Sequence, residues 1–117
     1  MIFYTVITNS SLNKGQVVQK NNNNTFSVND GTGMILGIVI SCTQIPDTAN
    51  YELVIYAGGG GGVKVKLASA WDGQPSRFEY LNDGVSPVAI NGVGVLVPSY
   101  PIQAYNAGDL VDGALYK

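Results

Sequence analysis

The acidic residues of this 117-residue chain are the first candidates for chemistry, since paired carboxylates can act as general acid and base or bind calcium. Three pairs qualify by sequence or by expected proximity: Asp109 with Asp112, Asp72 with Glu79, and Asp30 with Asp83. The aspartates lie in turns beside glycine or asparagine, where an aspartate side chain commonly bonds to the backbone. We therefore predict that they stabilise turns, and that the chain has neither a catalytic pair nor a calcium site.

Nucleophilic catalysis and metal binding lack their usual residues. The chain contains no histidine, its serines occur outside any Gly-x-Ser-x-Gly motif, and its single cysteine is Cys42. Cys42 ends an apolar run, which is typical of a buried thiol. The sequence therefore predicts a protein that is not an enzyme, with no catalytic residues, no cofactor and no metal.

Aromatic residues are the other candidates for a functional surface. Tyr100 and Tyr105 lie in a stretch marked by two prolines, and Tyr56 lies in an apolar run. Tyrosine is common at protein interfaces and in sugar sites because its ring packs while its hydroxyl stays hydrated. Trp71, beside Asp72, either offers a platform for a sugar or covers one end of the core, and we favour the core position.

The stretch that should position several of these residues is 51–69, YELVIYAGGGGGVKVKLAS. Two runs of strand-forming residues flank five glycines, which predicts a β-hairpin. In that hairpin Ala57 would face Val63, and Ile55 would face Val65, giving one apolar face. The opposite face would be hydrated or would meet a partner; it carries Glu52, Val54, Tyr56, Lys64 and Lys66, with Tyr56 opposite Lys64 and Glu52 diagonal to Lys66.

The five glycines form the predicted tip of this hairpin. Ordering them costs roughly 0.5 to 1 kcal/mol per residue relative to alanine, so the tip is either flexible in solvent or packed on a neighbouring subunit. A phosphate site is disfavoured because no Gly-Lys-Ser/Thr follows and the run leads into a strand. The candidate protein-interface residues are Tyr56, Gly58, Gly59, Gly60, Gly61, Gly62, Lys64, Lys66, Tyr100 and Tyr105.

The rest of the chain also has strand and turn patterns. Residues 2–7 predict a first strand, residues 16–28 a hairpin with an asparagine turn, and residues 34–40 a strand buried on both faces with a bulge or close backbone contact at Gly37. Residues 77–90 predict a hairpin at Asn82-Asp83-Gly84. These patterns predict an all-β fold: one small domain of residues 1–117, a β-sandwich or β-barrel of short strands joined by glycine and asparagine turns, with residues 1–13 as a candidate N-terminal arm.

The surface is polar but poorly charged. Charged residues make up 12% of the chain, against about 25% in an ordinary domain, and the net charge is −2. No lysine or arginine cluster is present, so we predict no nucleic-acid partner. The first residues lack the features of a secretory signal, and the apolar run 34–42 is too short to cross a bilayer as a helix. We expect a soluble protein made in the cytoplasm, without a membrane partner.

Three segments resemble a known family. KGQVV at residues 14–18, followed by an asparagine turn and MILGIV at residues 34–39, looks like the pattern in which one strand starts a small β-barrel and a later strand crosses it. YNAGDLV at residues 105–111 is similar to a segment near the C-terminal end of such chains. Head decoration, or cement, proteins of tailed bacteriophages carry patterns of this kind.

The resemblance implies a non-enzymatic structural virion protein, often a homotrimer, that is made in the host cytoplasm. It would decorate the outer surface of the capsid and stabilise it by bridging neighbouring subunits. Its partners would be the major capsid protein and copies of itself. The alternative is a receptor- or glycan-binding β-domain of a phage tail fibre or spike, using Trp71 and the tyrosines.

Overall fold

Ten strands make up the regular structure of the part of the chain that can be described. The computed structural model describes residues 1–89, 92–99 and 103–116. Within these residues every element is a strand or an isolated bridge, which confirms the predicted all-β fold. The strands are β1 (Ile2–Thr8), β2 (Val17–Lys20), β3 (Phe26–Val28), β4 (Met34–Gln44), β5 (Tyr51–Gly58), β6 (Gly62–Lys66), β7 (Ser76–Leu81), β8 (Gly84–Pro87), β9 (Gly94–Pro98) and β10 (Leu110–Tyr116).

The strands form two five-stranded antiparallel sheets that pack face to face. The first sheet has the order β1-β5-β4-β2-β3, and the second has the order β6-β10-β9-β7-β8. Two predicted hairpins are confirmed: β2 pairs with β3 across the asparagine turn, and β7 pairs with β8 across Asn82-Asp83. Asn24 and Asn82 adopt positive φ angles of 62° and 53°, a conformation that asparagine tolerates better than most residues.

The predicted hairpin of residues 51–69 is wrong. Its two strands exist, but β5 lies in the first sheet and β6 in the second, so the glycines carry the chain from one sheet to the other. Ile55 faces Tyr4 and Val39 instead of Val65, and Val65 faces Val111. The physical reason is that β5 gains strand partners on both edges, β1 and β4, which a two-stranded hairpin would not supply.

The main core lies between the two sheets. Val17, Ile38 and Tyr56 of the first sheet pack there against buried residues of the second sheet and its connections. The second sheet and its connections contribute nine buried residues to this core: Val63, Val65, Leu67, Trp71, Phe78, Val85, Leu96, Val111 and Leu115. A second cluster, of Leu12, Val18, Val39, Leu53 and Ile55, covers the opposite face of the first sheet. The centre of β4 is therefore buried on both faces, but the prediction of such a strand over residues 34–40 is wrong at its start, where Met34 and Ile35 are 59% and 40% exposed.

Gly15 connects the two sheets through its main chain. Its N–H donates to the carbonyl of Val39 in the first sheet at 2.9 Å, and its carbonyl accepts from the N–H of Lys66 in the second, also at 2.9 Å. The two bonds of Gly15 therefore fix the two layers relative to each other.

The two edges of the second sheet are also joined to each other. Leu67, just after β6, forms a parallel bridge with Val85 of β8, and the N–H of Ala68 donates to the carbonyl of Val85.

Candidate protein interface

Among the described residues, several of the most exposed large apolar side chains lie on β1 and on the residue before it. The side chains of Met1, Ile2, Phe3, Tyr4 and Ile7 are 48 to 63% exposed. We call these five residues the β1 patch. A run of large apolar side chains with this exposure is uncommon on a monomeric protein.

β1 is also a free sheet edge. It pairs with β5 on one side, and within residues 1–89, 92–99 and 103–116 no strand pairs with its other side. An edge strand with open hydrogen-bonding groups can accept a further strand, and proteins commonly block such edges with charged residues. The first charged side chain in the sequence is Lys14, so β1 carries no such block.

The glycine tip lies next to the β1 patch. Gly58, Gly59, Gly60 and Gly61 all have positive φ angles, between 77° and 133°. A Cβ atom added at Gly59 would lie 3.1 Å from the Cα of Met1, and one at Gly61 would lie 2.6 Å from its sulfur. The tip is therefore packed on the chain's own first residue, whereas Gly60 faces open space. Its contact with a neighbouring subunit stays a prediction.

Tyr56 is buried, although the predicted hairpin placed it on the face that would be hydrated or would meet a partner. Its side chain is 1% exposed and lies in the main core. Its hydroxyl donates to the carbonyl of Gly60 at 3.0 Å, and its ring meets Phe3 edge-on at 6.2 Å between centroids. The correction follows from the two-sheet arrangement, because the face of β5 that a hairpin would leave hydrated is covered by the second sheet.

The two candidate lysines bind carboxylates of their own chain. Lys64 lies 3.6 Å from Asp112, and Lys66 lies 2.5 Å from Asp83, so the expected contacts of Tyr56 with Lys64 and of Glu52 with Lys66 are replaced by others. Side-chain exposure is 44% for Lys64 and 30% for Lys66. Lys64 remains the more accessible of the two to a partner.

Trp71 and Tyr105 lie in connections of the second sheet and form an isolated antiparallel bridge. Trp71 is 4% exposed, meets Phe78 edge-on at 5.0 Å between ring centroids, and stacks on Tyr105 at 5.6 Å. Its indole N–H donates to the carbonyl of Gln74 at 3.0 Å. Trp71 is thus a core residue and not an exposed sugar platform. The remaining candidate, Tyr100, lies outside the described residues.

Asp30, Asp72 and Asp109 stabilise turns, as predicted, but the turn predicted at Asp112 is wrong, because this residue lies within β10. Asp72 accepts from the N–H of Gln74, and Asp109 accepts from the N–H of Asn106. Asp30 accepts from the hydroxyl and N–H of Thr32, and the hydroxyl bond is the main reason that its pKa lies below the usual value. Across the described residues, no group of three or more acidic residues and cysteines is close enough together to hold a metal.

Sequence reasoning missed Gln19, which organises the loop that contains Asp30. Its side chain is 1% exposed, and its amide nitrogen donates to Asn21 and Asp30, both at 2.8 Å. Its carbonyl oxygen accepts from the N–H groups of Asp30 and Gly33. A buried glutamine needs such partners, but nothing in the sequence separates it from an ordinary surface glutamine.

A cleft of about 490 Å³ lies between the sheets beside the glycine tip. Ile35, Gly59, Arg77 and Tyr80 are among the residues that line it. Burial raises the pKa of Tyr80 to about 12, with a smaller contribution from Tyr56. The Tyr80 hydroxyl is therefore protonated at neutral pH and cannot serve there as a general base.

The ion pair of Asp83 should make stability depend on pH. The hydrogen bond from Lys66 is the main cause that lowers the pKa of Asp83 below 3.8. The stabilisation is therefore complete above the unfolded pKa of about 3.9 and is lost as the pH falls through the lower folded pKa.

We expect Asp83→Asn to lower the free energy of unfolding by about 0.2 to 1 kcal/mol at pH 7, the range of exposed ion pairs. The variant should also lose less stability than the wild type between pH 5 and 2. Urea denaturation across this range measures both effects. Parallel pH profiles for the two proteins would contradict the role given to Asp83.

The described residues include no helix with the length and apolar character needed to cross a membrane. The chain matches no protein-family model, no curated protein and no solved structure.

Proposed function

We propose that this chain is a non-enzymatic structural protein of a phage virion, which decorates the outer surface of the capsid and stabilises it by bridging neighbouring subunits. The observation that carries the proposal is the β1 patch on an unpaired sheet edge. Both its apolar side chains and its backbone groups suit a permanent neighbour better than solvent.

The composition supports an assembled protein over a freely diffusing one. Only 12% of the residues are charged, and a surface rich in amide and hydroxyl groups suits wide contacts made by hydrogen bonds. The resemblance of residues 14–18, 34–39 and 105–111 to phage cement proteins supplies the partners. These are the major capsid protein and further copies of the chain, which would be made in the host cytoplasm and would form a homotrimer on the particle.

The position of the chain in a virus particle tests this function directly. Gold-labelled antibodies raised against the purified chain should bind to the heads of intact particles from cells that produce it, and electron microscopy shows where the label lies. Label on the tail fibres would favour the receptor-binding alternative instead. Particles that carry no label, and whose proteins do not include the chain, would contradict a virion role altogether.

A further inference from the structure

The sequence of β1 is complementary to itself when a second copy is placed antiparallel to it. If the two copies are related by a two-fold axis at Thr5, Phe3 lies opposite Ile7 of the other copy and Tyr4 lies opposite Val6. Thr5 then faces its own equivalent. Aromatic residues beside β-branched residues, and threonine beside threonine, are among the favourable pairs across antiparallel strands.

Side chains alternate between the two faces of the sheet along β1, so the two members of each pair lie on the same face. Phe3, Thr5 and Ile7 are paired with Tyr56, Val54 and Glu52 of β5, so the three lie on one face of the first sheet. Tyr4 and Val6 lie on the other face. The two-fold pairing therefore joins apolar residues on both faces of the sheet at once, without changing how β1 pairs with β5.

The absence of charge on β1 and the length of β1 also favour a second copy of β1 as its partner, instead of β3 at the opposite edge of the first sheet. Near a two-fold axis a side chain lies close to its own equivalent, so a charged residue beside Thr5 would repel itself, and residues 1–13 have no charged side chain. The opposite edge of the first sheet is β3, with three residues against the seven of β1. β3 would leave most of β1 uncovered.

The exposed side chains of the β1 patch would contribute to an interface. All five are large and apolar, and each is 48 to 63% exposed. Backbone hydrogen bonds along the two edges would add to this apolar contact. Such a pairing also hides the open edge that otherwise favours uncontrolled association.

We propose that two copies of this chain pair antiparallel through β1, about a two-fold axis at Thr5, and so join their first sheets into one sheet of ten strands. The contact requires no capsid and does not depend on the proposed virion function. It is pairwise, and is therefore distinct from the trimer that the resemblance to cement proteins implies.

Cysteine cross-linking tests the axis. In the proposed dimer the two Thr5 Cα atoms are about 4.5 to 5.5 Å apart, which a disulfide can span. The two Ile7 Cα atoms are separated by four residues along the strands, about 13 Å, which a disulfide cannot span. Thr5→Cys should therefore cross-link under mild oxidation, and Ile7→Cys, on the same face and equally accessible, should not. The wild type controls for Cys42.

The expected result is that Thr5→Cys runs on a non-reducing gel mainly at twice the chain mass of 12.3 kDa, while Ile7→Cys and the wild type run at the chain mass. Equal cross-linking of Thr5→Cys and Ile7→Cys would overturn the axis at Thr5. Absence of cross-linking in all three proteins would overturn the pairing. Neither result bears on the gold-label experiment, so the two proposals fail separately.

The mass of the protein in solution provides a second test. The wild type should sediment as a dimer, and Thr5→Lys, which places two like charges at the axis, should sediment as a monomer with an unchanged circular dichroism spectrum. Asn22→Lys adds the same charge in the exposed asparagine turn and should remain dimeric. A wild-type monomer, or a trimer that Thr5→Lys leaves intact, would overturn the proposal.

Discussion

Replacing Gly37 with alanine is expected to lower the free energy of unfolding by about 3 to 5 kcal/mol, the upper range for single substitutions. A Cβ atom at this position would lie 1.9 Å from the carbonyl oxygen of Tyr56, on the neighbouring strand β5. The φ angle of Gly37 is 153°, which other residues rarely adopt. Relief of the clash would require β4 and β5 to separate in the middle of the first sheet.

Urea denaturation followed by circular dichroism measures this loss. Gly62→Ala is the matched control, because a Cβ atom there would meet only the carbonyl of Gly113, at 3.9 Å, and its backbone lies outside the left-handed region. We expect the control to be neutral or slightly stabilising, since alanine restricts the unfolded chain. Equal stability of Gly37→Ala and the wild type would show that β4 does not approach β5 as described.

Trp71→Ala should have the second large effect, a loss of about 3 to 5 kcal/mol, as is usual when a buried aromatic side chain is removed. The substitution removes the edge-on contact with Phe78 and the stacking on Tyr105, and it leaves the carbonyl of Gln74 without the indole donor. Thermal or urea unfolding gives the change in stability.

Trp71→Phe provides the comparison for this prediction. Phenylalanine retains an aromatic ring between Phe78 and Tyr105 but loses the indole N–H, so we expect a smaller loss of about 1 to 2 kcal/mol. An alanine variant as stable as the wild type, but deficient in binding to a glycan array, would contradict the core role. It would restore Trp71 as a platform for a sugar.

Local patterns were sufficient to predict the fold class and several turns. The asparagines before β3 and the Asn82-Asp83-Gly84 turn determine their hairpins through residues only a few positions apart. Gly37 was also predicted to mark a bulge or a close backbone contact. Both occur: the pairing of β2 with β4 shifts register beside Val18, and the carbonyl of Tyr56 approaches Gly37.

The partners of β5 could not be predicted in the same way. Five glycines permit either a hairpin or a crossing between sheets, and the choice depends on distant strands, β1 and β10, that compete for pairing. One signal was present in residues 53–57, LVIYA, which are apolar without alternation. Such a run is typical of a strand buried on both faces, and it would have placed Tyr56 in the core.

The burial of the candidate interface residues was predicted less well than the fold, and their contact with a partner stays a prediction. Of the proposed residues, Tyr56 is buried, Lys66 is engaged by Asp83, and Gly59 and Gly61 lie against Met1. The β1 patch was recognised as a strand and as a candidate arm, but its exposure was not foreseen. Apolar residues on both faces of a strand are equally consistent with a core position, and only the arrangement of the two sheets decides between them.

The link at Gly15 would carry mechanical tension between the two sheets, together with the bond from the Val17 N–H to the carbonyl of Asp83. Because Gly15 bonds Val39 on one side and Lys66 on the other through main-chain atoms, a pull on the first sheet is transmitted to the second without involving a flexible side chain. A force directed along β1 would load its seven paired positions with β5 in shear, so that they resist together. A domain built in this way would yield as a unit instead of peeling open one layer at a time.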